Sequence, residues 1–229
     1  MYPDHVPLRE DLRQAHANTW TALGQAGDYF TGSQRVEFVR VARDALTCQL
    51  CEDRQAALSP ASVSGEHDTL SNLDPILIDM IHRLRTDPGR LTKAWFDNIM
   101  TVVSPQEYVE IVAVVTSSVI VDTLHNALGQ GLAPLPLPAR GRPRRKYDED
   151  AIDAGAWVPI TAVAQEMSDT GLPNVPNIVR ALGLVPGARD LFFGTFRPHY
   201  ALKDINLSIS QGQAEFVAAR VSAMNECFY

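Results

Sequence analysis

The chain has few cysteines: Cys48, Cys51 and Cys227 are the only three in 229 residues. So small and odd a number excludes the disulfide framework on which small secreted domains depend. No apolar run reaches about 18 residues, the length that a membrane-spanning helix needs, so we expect no membrane span. The first residues lack the basic and apolar regions of a secretory signal peptide. A reducing cytoplasm is therefore the expected location.

Basic residues are outnumbered, since 20 Lys and Arg stand against 27 Asp and Glu and the net charge is −7. We expect no nucleic-acid partner, because binding to phosphates requires a positive surface. Hydrophobic residues make up 45% of the chain and charged residues 21%, as in ordinary globular proteins. This composition excludes a disordered chain, and the length suits one or two domains.

Apolar residues recur at helical spacing over most of the chain, which predicts an all-α fold. The sequence Ser104-Pro105-Gln106-Glu107 marks a helix start, with Ser as the cap, Pro at the first position and Glu at the third. Glycine and proline between Gly183 and Gly187 predict a break. The expected helical segments are 8–26, 33–46, 71–86, 90–101, 105–128, 160–167, 176–184 and 209–227.

Proline and basic residues are concentrated between positions 131 and 150. This stretch contains Pro134, Pro136, Pro138, Pro143, Arg140, Arg142, Arg144, Arg145 and Lys146. It is predicted to be an extended, solvated linker. The linker divides the chain into an N-terminal helical domain at 1–130 and a C-terminal helical repeat at 151–229. A faint internal repeat supports this division, because Glu37-Phe38-Val39 recurs as Glu215-Phe216-Val217.

The strongest chemical signal is the CxxC motif Cys48-Gln49-Leu50-Cys51. In the first turn of a helix, backbone amides and the helix dipole favour a thiolate over a thiol. A thiolate can attack a peroxide and become a sulfenic acid, which a second cysteine converts into a disulfide. Glu37, on the preceding helix, is a candidate general base, provided that burial raises its pKa.

Two other interpretations of the motif stay open. It is half of a zinc site if two further ligands exist, although the sequence offers no second cysteine pair and no HxxxH motif. Alternatively, the two cysteines are ordinary core residues. A thioredoxin-type fold is disfavoured, because no βαβ pattern surrounds the motif.

Several short sequence motifs together resemble those of the alkylhydroperoxidase D/carboxymuconolactone decarboxylase superfamily, and more closely those of its peroxidase-related branch. The resemblance implies repeated helical hairpins, a homo-oligomer, and thiol-dependent reduction of hydroperoxides without metal, flavin or haem. It also implies that Cys51 meets the peroxide, Cys48 resolves it, Glu37 relays the proton and an external dithiol supplies electrons. The motifs are Val36-Glu37-Phe38-Val39, Cys48-Gln49-Leu50-Cys51-Glu52-Asp53-Arg54, Ser104-Pro105-Gln106-Glu107-Tyr108-Val109-Glu110 and Ala214-Glu215-Phe216-Val217-Ala218-Ala219-Arg220.

The chain also departs from that family. The family has a histidine four residues after the second cysteine and often one directly before it, where this chain has Gln55 and Leu50. Near the C-terminus, Glu215 and Cys227 match the family spacing better, and the second catalytic residue would fall at position 230. Some similar members carry selenocysteine, so we expect either a selenocysteine at that position, read as termination, or a truncation of the C-terminal repeat there. The alternative is that Cys227 is an ordinary buried cysteine near a natural end.

Two further functions remain open beside the peroxidase. One is a non-catalytic helical oligomer that keeps the fold without its chemistry. The other is decarboxylase-like acid/base chemistry, which does not need the cysteines.

Overall fold

The described part of the chain in the computed structural model covers residues 1–162, 175–200 and 207–224, and it is helical. The expected all-α class is confirmed. In these residues the one β-type pairing is an isolated bridge between Ile152 and Ile160. The helices are α1 Glu10–Leu23, α2 Gly32–Asp44, α3 Gln49–Ala56, α4 Pro75–Thr86, α5 Lys93–Ile99, α6 Pro105–Ala127, α7 Asn177–Gly183, α8 Pro186–Phe196 and α9 Gln211–Met224.

Local sequence signals explain most helix starts. The Ser104 side chain accepts a hydrogen bond from the Glu107 amide and the Glu107 carboxylate accepts one from the Ser104 amide, so the predicted capping box is confirmed. Pro186 is the first residue of α8 rather than part of a longer break. Proline suits this position because the first helical amide has no partner within the helix.

Two predicted helices lie partly outside the described residues. The expected helix at 160–167 does not begin by Ala162, and its remaining residues lie outside the described part. The last expected helix appears as α9, and residues 225–229 also lie outside it. Helix α3 begins directly after Cys48, and the sequence predicts only a helical first turn there.

Helix α6 forms the centre of the core. It packs against α1, α2, α4, α7 and α8, and its residues Ile111, Val114 and Val115 are fully buried. By length and composition it is the one helix in the described residues that could cross a membrane, but 61% of its apolar window is buried within the protein. Packing on several sides accounts for its apolar sequence.

The apolar core continues past the proline-rich stretch. Leu184, Val185 and Ala188, from the α7–α8 region, belong to the same buried cluster as residues of α2, α4 and α6. Helix α8 also packs against α1. The segment up to Phe196 thus shares its core with the N-terminal helices, while the domain boundaries themselves stay a prediction.

Residues 131–150, hereafter the Pro/Arg segment, contain no helix but are bound to the folded body. The amide of Ala139 donates to the Gly24 carbonyl oxygen over 2.8 Å, and that of Arg144 donates to the Gly27 carbonyl oxygen over 3.1 Å. The Arg144 guanidinium pairs with the buried Asp28 carboxylate at 2.9 Å. The segment is extended and mostly exposed, as expected, but its backbone is held against the folded body.

Candidate thiol–histidine site

Cys48 and Cys51 lie at the start of α3, as their motif predicted. Cys48 is the residue directly before the helix and Cys51 lies in its first turn. Their exposures are only 2% and 3%, and both are free thiols. The Asp68 amide donates to the Cys48 sulfur over 3.4 Å, and the Asp68 carboxylate accepts a hydrogen bond from the Gln49 amide at 2.8 Å. The loop after α3 is thereby fixed to the start of that helix.

Two histidines complete the site. His67 comes from this loop, and its Nδ1 atom lies 3.5 Å from the Cys48 sulfur and 3.6 Å from the Cys51 sulfur. His82 comes from α4, and its Nδ1 atom lies 3.3 Å from the Cys51 sulfur. One ligand atom from each of the four residues lies within 4.8 Å of the others. The two further ligands that the half-zinc interpretation lacked are therefore present.

Asp79 orients the His67 ring. Its Oδ1 atom lies 3.1 Å from His67 Nε2, and its Oδ2 atom accepts a hydrogen bond from the Trp95 indole N–H over 2.8 Å. Burial acts to raise the pKa of Asp79, but hydrogen bonds from His67, Arg54 and Trp95 outweigh it and hold that pKa well below the usual range. Arg54 Nη1 also lies 3.3 Å from His67 Nε2, but the shorter contact with an ionised Asp79 favours a proton on Nε2, and the Nδ1 lone pair then faces the thiols.

Burial determines the charge states of the deeper residues. It raises the pKa of Cys51 to about 12, and the neighbouring Cys48 adds to the shift. It also lowers the pKa of His82 to about 4, so that this imidazole is neutral at pH 7. The thiol pair therefore accepts one negative charge more readily than two unless a cation is present.

A shallow cleft of about 500 Å³ runs past one side of the site. Its lining includes Thr47, which precedes Cys48, as well as His67 and Asp68. The Cys48 sulfur accepts a hydrogen bond from the amide of Asp68 in this lining, whereas the Cys51 sulfur contacts the fully buried His82. Cys48 is consequently the thiol nearer to the cleft, and Cys51 is the inner one.

Glu37 differs from the expected general base. Its carboxylate accepts hydrogen bonds from Arg40 at 2.6 and 3.0 Å and from the Ser71 hydroxyl at 2.6 Å, and neither thiol is among its partners. The Arg40 hydrogen bond holds the pKa of Glu37 below its ordinary value. The condition that burial raises this pKa is not met, because Arg40 stabilises the ionised carboxylate.

The positions that the family fills with histidine serve structural contacts here. Gln55 donates its side-chain N–H to the Thr86 carbonyl oxygen over 2.7 Å, and Leu50 is buried in a small cluster with both cysteines. Glu215, on α9, accepts a hydrogen bond from the Tyr200 hydroxyl over 2.6 Å. Cys227 lies outside the described residues, so its pairing with Glu215 stays a prediction.

Sequence analysis missed His67, His82 and Asp79. His67 lies 16 positions after Cys51, a separation that zinc motifs also use, but His82 lies 31 positions after Cys51 and therefore far from the second histidine of an H-x3–5-H pair. The sequence did contain one indication: two of its six histidines, His67 and His82, lie within 31 positions after Cys51.

Comparison of the chain with protein-family models, curated proteins and solved structures found no match. The function proposed below therefore rests on the chemistry of the site and on the resemblance stated for the sequence.

Proposed function

We propose that this chain is a thiol-dependent oxidoreductase that reduces hydroperoxides through Cys48 and Cys51. One observation carries the proposal: His67 Nδ1 lies 3.5 and 3.6 Å from the two sulfurs, while its Nε2 atom lies 3.1 Å from Asp79. A base that is oriented by a carboxylate and lies beside a thiol is the arrangement that activates a cysteine nucleophile. His67 thus takes the proton-relay role that the resemblance gives to Glu37.

The contacts favour Cys48 as the residue that meets the peroxide. Its sulfur accepts the Asp68 amide hydrogen bond and lies at the N-terminus of α3, and both features stabilise a thiolate. It is also the thiol nearer to the cleft. Cys51 is then the resolving thiol, which reverses the roles implied by the resemblance.

The reaction balances with these groups alone. His67 removes the Cys48 proton, and the thiolate attacks one oxygen of the hydroperoxide. The O–O bond breaks, and the departing alkoxide takes the proton from His67 and leaves as an alcohol. The Cys51 thiol attacks the resulting sulfenic acid, a disulfide forms and water leaves. An external dithiol reduces the disulfide by exchange and is itself oxidised.

Three further parts of the proposal come from the resemblance. They are the repeated-hairpin type of fold, assembly into a homo-oligomer and the hydroperoxide as substrate. A reducing cytoplasm is consistent with the chemistry, because each turnover consumes two electrons from a dithiol.

The test is a thiol count on reduced, metal-free protein before and after one equivalent of an organic hydroperoxide. Alkylation, intact mass and a proteolytic digest give the number and identity of the oxidised cysteines. We expect Cys48 and Cys51 to be lost together and a dithiol to restore both. If all thiols survive, the proposal fails and the non-catalytic scaffold takes its place. Acid/base activity on a lactone that survives in the Cys48→Ser/Cys51→Ser double variant would favour the decarboxylase-like alternative.

A further inference from the structure

We propose that Cys48, Cys51, His67 and His82 together bind one zinc ion when the thiols are reduced. The proposal rests on where the two sulfurs and two imidazole nitrogens lie, and it does not depend on the proposed peroxidase activity. It differs from the metal-free chemistry that the resemblance implies.

The distances match a tetrahedral shell. With Zn–S near 2.3 Å and Zn–N near 2.0–2.1 Å, sulfur and nitrogen ligands of a tetrahedral zinc ion lie about 3.5 Å apart. Three of the four sulfur–nitrogen distances in the site are 3.3, 3.5 and 3.6 Å, and the four ligand atoms all lie within 4.8 Å of one another. Hydrogen bonding accounts for these contacts less well, because two sulfurs face the single Nδ1 lone pair of His67, which accepts one proton. A shared cation accounts for all three distances.

The surroundings of His67 are those of a metal ligand. Metal-bound histidines usually donate their other N–H to a carboxylate, which fixes the ring and its tautomer. Asp79 occupies that position at 3.1 Å from His67 Nε2. Asp79 is itself held by hydrogen bonds from Arg54 Nη1 at 2.5 Å and Trp95 Nε1 at 2.8 Å. The ring is therefore fixed with Nδ1 directed at the sulfurs.

His82 gives independent support. Its side chain is fully buried, and among the described residues its Nε2 atom has no hydrogen-bond partner. Its other nitrogen faces the Cys51 sulfur. A metal bond at Nδ1 would give this buried imidazole one strong polar partner and offset part of the cost of burying it, while its Nε2 atom would still lack a partner among the described residues.

The ligand set selects zinc among the common divalent ions. Two thiolates and two neutral imidazoles suit Zn²⁺, whereas Ca²⁺ and Mg²⁺ require oxygen ligands. Two thiolate charges neutralise the ion, so that the buried centre carries no net charge. Four protein ligands leave no open position, which is the pattern of a structural rather than a catalytic zinc site.

The proposed ion would join three segments that have little apolar core between them. These are the start of α3, the loop between α3 and α4, and α4 itself. The local apolar cluster consists only of Ala45, Cys48, Leu50 and Cys51, with Val63 packed against it. A bound metal therefore adds stability at the start of α3, where only this small cluster is buried, and ties it to α4 of the main core.

Zinc and peroxide would compete for the same sulfurs. Two zinc-bound thiolates, one hydroperoxide and two protons give a disulfide, an alcohol, water and a released zinc ion. Zinc therefore shields the reduced pair, and oxidation removes two of the four ligands.

The test is metal binding to the reduced, chelator-treated full chain. We expect one equivalent of Zn²⁺ to remain bound through gel filtration. We expect Co²⁺ in its place to give the intense visible bands of tetrahedral cobalt and a thiolate-to-cobalt charge-transfer band. Cys48→Ser and His82→Gln should each abolish the charge-transfer band or reduce its intensity and the affinity at least tenfold. The matched control is His125→Gln, because His125 is similarly buried but lies outside the four ligands. This variant should bind one equivalent.

The proposal is overturned if the wild type binds no Co²⁺ or gives the weak spectrum of octahedral cobalt. It is also overturned if His82→Gln binds as the wild type does. Should a variant not fold, alkylation of the wild type decides: Zn²⁺ must slow modification of Cys48 and Cys51, and a chelator must restore it. Zinc binding with thiols that are inert to peroxide would refute only the peroxidase, whereas disulfide formation without zinc binding would refute only the metal site.

Discussion

The Nδ1 atom of His82 lies 3.3 Å from the Cys51 sulfur, although the two residues are 31 positions apart in the chain. Both side chains are buried, and they belong to different helices, α4 and α3. The contact therefore forms only when these helices pack together. The contacts of the thiol pair with His67 and His82 are therefore a property of the folded protein.

The roles of the two cysteines can be separated by trapping the sulfenic acid. In Cys51→Ser the resolving thiol is absent, so one equivalent of hydroperoxide should leave a stable sulfenic acid on Cys48. A dimedone-type reagent and peptide mapping detect it. Cys48→Ser should give no adduct, because the inner thiol is farther from the cleft and its pKa is raised. An adduct confined to Cys51 in the Cys48→Ser variant would restore the roles implied by the resemblance.

The proton relay is tested by comparing His67→Gln with Glu37→Gln in metal-free protein. Removing a general base typically lowers a rate about 100-fold or more, so His67→Gln should slow the loss of thiols by that factor. Glu37→Gln should slow it far less, since Arg40 and Ser71 occupy the Glu37 carboxylate. Stopped-flow measurement of thiol loss gives both rates. The reverse order of the two variants would return the base role to Glu37.

Asp79→Asn should weaken zinc binding without removing a ligand. Losing the carboxylate that orients a metal-bound histidine typically lowers metal affinity about 10–100-fold. Competition with a chromophoric chelator measures the change, and the cobalt spectrum should keep its tetrahedral form. Asp53→Asn is the control, because Asp53 is exposed and, among the described residues, its side chain bonds to Gln49 of the same helix rather than to a ligand of the site. Equal zinc affinities for the two variants would show that Asp79 does not support the metal site.

Acid should destabilise the fold through His16. This residue is fully buried between the Tyr2 hydroxyl and His199, with His125 nearby, and burial lowers its pKa to about 4. In the unfolded chain His16 has its ordinary pKa near 6.5. Its contribution to the free energy of unfolding is therefore fully present above that pH and is lost as the pH falls towards 4.

Over this interval His16 accounts for a loss of about 3 kcal/mol. Urea unfolding at pH 7 and at pH 4.5 measures the loss, and His16→Gln should make the pH dependence less steep. Other buried histidines add to the total, so only the difference between wild type and variant reports on His16. Equal slopes for the two proteins would contradict the assignment.

Gly24→Ala should loosen the Pro/Arg segment. A Cβ at Gly24 would lie 2.2 Å from the Leu137 carbonyl oxygen, which is backbone and can move only with the segment. Overpacking of this kind typically costs about 1–3 kcal/mol. The control is Gly194→Ala within α8, where a Cβ meets no atom within 4 Å and should stabilise the protein by about 0.4–1 kcal/mol. Thermal unfolding of both variants tests the contrast, and a neutral Gly24→Ala would contradict it.

The helices were accessible from the sequence because their signals are local. Apolar spacing predicted most of them, and Ser104 with Glu107 fixed the start of α6. Helix α3 was harder to predict as a full helix, since only Leu50 and Cys51 in it are buried and it shows no periodic pattern.

Only half of the site could be predicted from the sequence. The CxxC motif is contiguous, but His67 and His82 reach it through a loop and a separate helix, so their distance is set by tertiary packing. The ion pair that lowers the pKa of Glu37 could have been predicted from the sequence. Arg40 lies three residues later on the same helix face, where an ion pair forms readily and keeps a carboxylate ionised.

The Pro/Arg segment has a consequence for how this sequence can vary. Its amides at Ala139 and Arg144 bond to carbonyl oxygens of Gly24 and Gly27, so the number of residues between the two anchor points is fixed. An insertion or deletion between positions 139 and 144 would put the second anchor out of register. In related chains the length of this stretch should therefore be preserved, in contrast to the free variation of ordinary surface loops.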